Sequence, residues 1–130
     1  MKTLDYATTV TQFSLSEWDR ILAPALGHTL QRAGITQNAP QLPLFAPSLF
    51  HGLGWRHPYY TQGLRHIQTL LQASISCSQT DVLLCHTAEV FQVELGVPFS
   101  LGRTSYKQYS SYVPCLWYKS MWEFADAHDI

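Results

Sequence analysis

Apolar residues in this chain recur at spacings of three and four, a period that matches one face of an α-helix and does not match the two-residue alternation of a strand. Four stretches carry it: Trp18, Ile21, Leu22, Ala25, Leu26 and Leu30; then Tyr60, Leu64, Ile67, Leu70, Leu71 and Ile75; then Leu84, Ala88, Phe91 and Leu95; and finally Leu116, Trp117, Met121, Trp122 and Phe124. The pattern predicts an all-α fold, a compact bundle of about four helices in a single domain. Trp18, Leu26, Leu64, Ile67, Leu71, Leu84, Phe91, Trp117 and Trp122 are the residues expected to form the core.

Local signals set the boundaries. Ser14 followed by Glu17, and Ser16 by Asp19, announce the first helix, and Gly34 suits its left-handed end. Pro24 falls inside that stretch, where it removes a hydrogen bond and crowds the preceding turn, so a kink or a second helix start is expected there. Pro58 opens the second helix, residues 59–76, and Gly63 within it marks a close crossing with another element. Ser78 with Asp81 caps a third helix over residues 80–95, which Gly96 stops. Its stripe is widened by Val82, Leu83, Val90 and Val93, so it reads as a central helix touched on more than one side. The last helix begins near Val113 or Pro114.

Between the first two helices, Pro40, Pro43, Pro47 and Pro58 exclude a long helix or a central strand. Leu42, Leu44, Phe45, Leu49 and Phe50 lie among them, so this segment is expected to pack on the body, with residues 44–46 as a short extended piece. Gly52 and Gly54 bracket Leu53 and permit close backbone approach or a positive φ. They form no phosphate loop, because the third glycine and the lysine are missing. Residues 4–13 suit an extended stretch or at most one short strand.

Charged residues make up only 13% of the chain, about half the usual share, while it holds four Trp, seven Tyr and six Phe. Such a balance implies either a polar uncharged surface or a face that rests against something else. The net charge of -1 supplies no general field for a phosphate backbone. Cys77, Cys85 and Cys115 form no close pair, which suits free thiols in a reducing compartment. No secretion signal and no membrane-spanning run is seen, so an intracellular place, cytoplasm or nucleus, is expected.

The polar inventory is thin for catalysis. The acids sit at helix starts or on helix surfaces, no two form the adjacent pair that two-metal phosphoryl transfer uses, and the six histidines lie scattered. No enzyme activity, cofactor or metal is therefore expected. Binding is the better-supported class. Tyr106, Tyr109 and Tyr112 recur every three residues beside Arg103 and Lys107, and rings interleaved with cations can stack on bases and meet phosphates. Arg56, His57, Arg65 and His66 form a second small basic group. Solvated scatter and a half-buried tyrosine stripe explain the same residues without a ligand.

Several short motifs fall in a recognisable order. Leu44-Phe45-Ala46-Pro47 leads to Gly52-Leu53-Gly54; Pro58-Tyr59-Tyr60-Thr61-Gln62-Gly63 opens a leucine-rich helix; Phe91-Gln92-Val93-Glu94-Leu95-Gly96 closes the next; and Trp117 and Trp122 precede Glu123-Phe124. Together they resemble the segment that follows the polymerase palm in non-LTR-type retrotransposon reverse transcriptases of protist, algal and fungal genomes. The likeness covers almost the whole chain. It departs at His51, where the family commonly has a glycine, and at Trp55 with Arg56.

In that family polymerisation depends on paired palm aspartates, which this chain lacks. The resemblance thus implies a non-catalytic, thumb-like or connector segment, a fragment or remnant of a larger protein, that steadies a primer-template duplex. Under it, Arg56, His57, Arg65, Arg103 and Lys107 would meet phosphates and Tyr106 and Tyr109 would stack on bases. Its partners would be an RNA or DNA duplex and a palm domain in the same protein. The alternative is a helical protein-interaction module whose aromatic face, Trp117 and Trp122, receives a partner and which has no nucleic-acid role.

Overall fold

The computed structural model describes residues 7–36, 40, 42–76, 78–97 and 106–130. The fold is all-α, and no strand occurs among the described residues. In chain order the helices are α1 (Leu15–Arg32), α2 (Leu42–Phe45), α3 (Pro58–Ala73), α4 (Gln79–Leu95), α5 (Tyr106–Tyr109) and α6 (Leu116–Ala127). Short 3-10 turns cover Ser48–Phe50 and Ser110–Tyr112. The chain divides into two compact units, Phe13–Thr61 in one, and Met1–Gln12 with Gln62–Ile130 in the other.

In the unit Phe13–Thr61, α1 begins with a capping box. The Ser14 amide donates to Glu17 Oε2 at 2.8 Å and the Glu17 amide donates back to Ser14 Oγ at 3.4 Å, which satisfies donors that the first helical turn leaves over. The serine holds the Glu17 carboxyl below the usual carboxylate range through backbone and side-chain hydrogen bonds. The helix runs unbroken past Pro24, so no second helix starts there. Its inward residues Leu26 and Leu30 meet Leu44, with Leu22, Ile35, Phe45 and Trp55 packed around them.

The segment after α1 closes on itself through its backbone. The amides of Leu53, Gly54 and Trp55 donate to the carbonyls of Pro43, Ala46 and Leu44 at 2.9–3.0 Å. Residues 42–45 form one helical turn, whereas the sequence predicts residues 44–46 to be extended, and the returning loop bonds to carbonyls of this turn and of Ala46. Gly52 is required: a Cβ there would sit less than 3.0 Å from the Ala46 backbone. Gly54 takes φ +64°, the left-handed region open to glycine. His51, the residue that departs from the resembled motif, also has positive φ, 59°.

In the other unit the core is Phe91 from α4, Val113, and Tyr118, Met121 and Trp122 from α6. Ile67, Leu70, Leu84, Ala88, Leu95 and Trp117 pack on it. The buried Tyr118 hydroxyl donates to the Leu84 carbonyl, which ties α6 to α4. Burial, with Cys85 and Cys115 nearby, pushes its ionisation up to about 12. Ser78 caps α4 through the Asp81 amide, and Gly96 ends it in the left-handed conformation. Residues 7–10 make a turn in which the amides of Val10 and Thr11 donate to the Ala7 carbonyl, so the described part of the expected N-terminal strand is not extended.

Two helices face differently from expectation. On α3 the buried residues are Gln62, Gly63, His66 and Ala73, with Ile67 and Leu70 packed on the core, while Tyr60, Leu64 and Leu71, and Ile75 just beyond the helix, are exposed. Leu64 and Leu71 are therefore not core residues: they are 55% and 61% exposed. The cause lies in the bulk of α6. The Phe124 ring occupies the space where a Cβ on Gly63 would sit, and only a face of small residues admits so close an approach. On α4, Leu84, Ala88, Phe91 and Leu95 pack inward, but Val82, Leu83, Val90 and Val93 are exposed. That helix is covered on one side, and its wide apolar pattern reflects two faces. The remaining expected core residues, Trp18, Leu26, Ile67, Leu84, Phe91, Trp117 and Trp122, are buried or packed against buried neighbours.

Candidate functional site

The most extensive unusual surface is the outward face of α3. Positions 64 and 71 fall on one side at 3.6 residues per turn, and Ile75 in the turn that follows the helix is exposed as well. The flanks of this face are Thr61, Gln68 and Gln72, none of them charged. Ile75 is 83% exposed, whereas on the opposite face Gln62 and His66 are 2% and 0% exposed. Ile67 and Leu70 still pack on the core, but Leu64 and Leu71 meet water while an amide and an imidazole are buried, which an ordinary surface helix avoids. The outer face of α4 adds Val82, Leu83, Val90 and Val93, flanked by Glu89 and Glu94.

The residues expected to contact nucleic acid fall in both units. Arg56 and His57 belong to the unit Phe13–Thr61, and Arg65, Tyr106, Lys107 and Tyr109 to the other. Arg103 lies outside the described residues. Arg56 is exposed. His57 is engaged at both ring nitrogens: Nδ1 accepts from the Tyr59 amide at 3.3 Å, so Nε2 carries the proton and donates to Asp19 Oδ1 at 3.2 Å. Packed also near Phe45 and Tyr60, this ring fastens the end of the loop to α1 and offers no free nitrogen to a phosphate. Arg65 is half-buried and Lys107 exposed.

The two tyrosines are largely spoken for. Tyr106 lies edge-on to Trp122, ring centroids 5.7 Å apart, and burial, then Glu123, raise its hydroxyl above the ordinary tyrosine range. Tyr109 packs on the same cluster. Trp122 is 2% exposed and Trp117 is half-buried, so the aromatic side of α6 is mostly core.

A buried polar cluster escaped the sequence pattern altogether. His66 lies against Trp117, ring centroids 5.0 Å apart, and under residues 8–11, while Trp117 Nε1 donates to the Thr9 carbonyl at 3.1 Å. Neither ring nitrogen of His66, nor Thr11 Oγ1, has a hydrogen-bond partner among the described residues. Burial pushes the imidazole below its ordinary range, only partly opposed by the backbone of Thr8, Thr11 and Thr9. The signal that could have found it is the spacing of Gln62, His66 and Ala73, which shares a helix face with Gly63.

No group of three or more metal-ligating side chains occurs among the described residues, and no helix there is long and apolar enough to cross a membrane. Comparison with known protein families, characterised proteins and solved structures finds no match to this chain.

Proposed function

We propose that this chain is a non-catalytic helical segment of a reverse-transcriptase-like protein, seated against a neighbouring domain through the outward apolar stripe of α3. The observation that carries this reading is the exposure of Leu64 and Leu71 on α3, and of Ile75 just after it, while Gln62 and His66 of the same helix are buried. Full burial of a Leu or Ile is worth roughly 1.5–3 kcal/mol, so covering this half-exposed stripe supplies several kcal/mol toward association. The resemblance supports it further, because residues of its motifs meet in space: Gly63 with Phe124, and Gly52 with Ala46. The docking face is aliphatic, not the aromatic face of Trp117 and Trp122. Contact with a primer-template duplex receives less support, since His57 is bound to Asp19.

The test begins with the transcript, read past both ends of the chain. The reading expects a continuous frame that encodes a palm with paired aspartates. The purified palm should then bind this chain, and Leu64→Glu with Leu71→Glu should weaken binding at least 100-fold while the helical circular dichroism persists. A frame without a palm, or association indifferent to both substitutions, overturns the reading.

A further inference from the structure

We infer that residues 7–12 form an acid-released strap, held closed over His66 and Trp117 while the imidazole is neutral and freed when it takes up a proton. Three features make the latch. His66 is fully enclosed, and neither of its nitrogens is hydrogen-bonded among the described residues. The strap lies on it through the backbone of Thr8, Thr9 and Thr11, and is pinned by the indole proton of Trp117 on the Thr9 carbonyl. Thr8 is buried with it, and Thr11 Oγ1 is enclosed without a partner.

A neutral imidazole tolerates such a place at modest cost, but an imidazolium does not, because a buried charge needs a counter-charge or water. Among the described residues no charged side chain meets the ring, and the backbone of Thr8, Thr11 and Thr9, which favours the protonated form, is outweighed by burial. The strap brings threonines, the preceding turn of α3 brings Gln62, and α6 brings Trp117, none of which titrates in the acid range. Influences on the ring are burial and then threonine backbone, with no carboxylate or cation among them. Protonation is therefore accommodated by opening the strap to water. Opening uncovers the edge of Trp117, whose indole proton the Thr9 carbonyl holds in the closed state.

Linkage fixes the size of the effect. If the closed state stays neutral and the open state titrates near the ordinary histidine value of about 6.5, the opening constant grows as 1 + 10^(6.5 − pH), about thirtyfold at pH 5. Amide hydrogen exchange on the full chain, corrected for intrinsic rates, reads it through the Val10 and Thr11 amides, which are bonded only within the strap's own turn in the closed state. Between pH 7.5 and pH 5 their protection should fall tenfold or more while that of α4 holds, and His66→Gln should abolish the difference. A change below about threefold, an equal loss across α4, or the same response in His66→Gln overturns the inference. Should His66→Gln fail to fold, the wild-type imidazole, assigned by its proximity to Trp117, decides the matter by nuclear magnetic resonance. Its midpoint must lie below 6.5 and coincide with strap release; a midpoint at or above 6.5 overturns the latch.

Discussion

Gly63→Ala is the sharpest probe of the packing, because two physical effects predict opposite signs. In the interior of a helix alanine is favoured over glycine by up to about 1 kcal/mol. Against this, the added Cβ would lie less than 3.0 Å from three atoms of the Phe124 ring, closer than real methyl contacts come. Phe124 is itself buried, so its ring cannot swing into solvent, and overpacking of this kind typically costs 1–3 kcal/mol. Neighbouring Phe124 substitutions should relieve the clash. The net expectation is destabilisation by about 1–2 kcal/mol, a fall in melting temperature of roughly 4–8 °C for a chain of this size. Gly27→Ala is the control: it lies inside α1 with nothing within 4 Å of the new Cβ, and should stabilise by about 0.5–1 kcal/mol. Urea denaturation of both variants, with Phe124→Leu alone and combined with Gly63→Ala, measures the coupling. Gly63→Ala should cost less in the Phe124→Leu background than alone. A stabilising Gly63→Ala, or additive effects in the double variant, would show that α3 and α6 do not cross at this residue.

Leu64→Ser and Leu71→Ser should each change stability by less than about 0.5 kcal/mol in urea melts of the isolated chain, while Met121→Ala should cost about 2–5 kcal/mol, since only the last residue leaves a cavity. Tyr118 ionises at about 12 in the folded chain against 10.0 ordinarily, so the folded state holds its proton longer than the unfolded one. Stability is then complete below pH 10 and declines as pH rises from 10 toward 12, by about 2 kcal/mol; Tyr118→Phe should lose this alkaline limb, and an identical limb in the variant refutes the assignment. Gly52→Ala should destabilise the loop by 2 kcal/mol or more, read as faster exchange of the Leu53 and Trp55 amides, because the obstructing Ala46 atoms include backbone.

Much of the architecture was legible because its signals are local. Ser14 with Glu17 and Ser78 with Asp81 cap α1 and α4, Gly96 ends α4 with a left-handed residue, and Pro58 opens α3, each acting within one helical turn. Pro24 misled, since a proline inside a helix costs one hydrogen bond and some crowding, and an 18-residue helix with its own packed stripe tolerates both. The candidate site was far less legible. Charge and aromatic spacing nominated Arg56, His57, Tyr106 and Lys107, but spacing carries no information on what a side chain meets across the fold. His57 meets Asp19, 38 positions away, and Tyr106 meets Trp122.

On α3 periodicity places Ile67 and Leu70 correctly and Leu64 and Leu71 wrongly, and the split shows its limit. A period of 3.6 says that a helix has two unlike sides; it assigns the apolar side to the interior only on the premise that the chain's own core is the largest apolar surface available. Here the side that meets α6 is chosen by depth. Phe124 fills the notch over Gly63, and a leucine face in that place would hold the helices further apart and lose close contact along the crossing. Burying Gln62 and His66 is the cost of using that face, and His66 bears it without a hydrogen bond. Leu64 and Leu71 are then left outside, where they destabilise nothing in the folded chain but gain nothing either. The proposals of a docking face at Leu64 and Leu71 and of an acid-sensitive strap over His66 both rest on this one arrangement of α3.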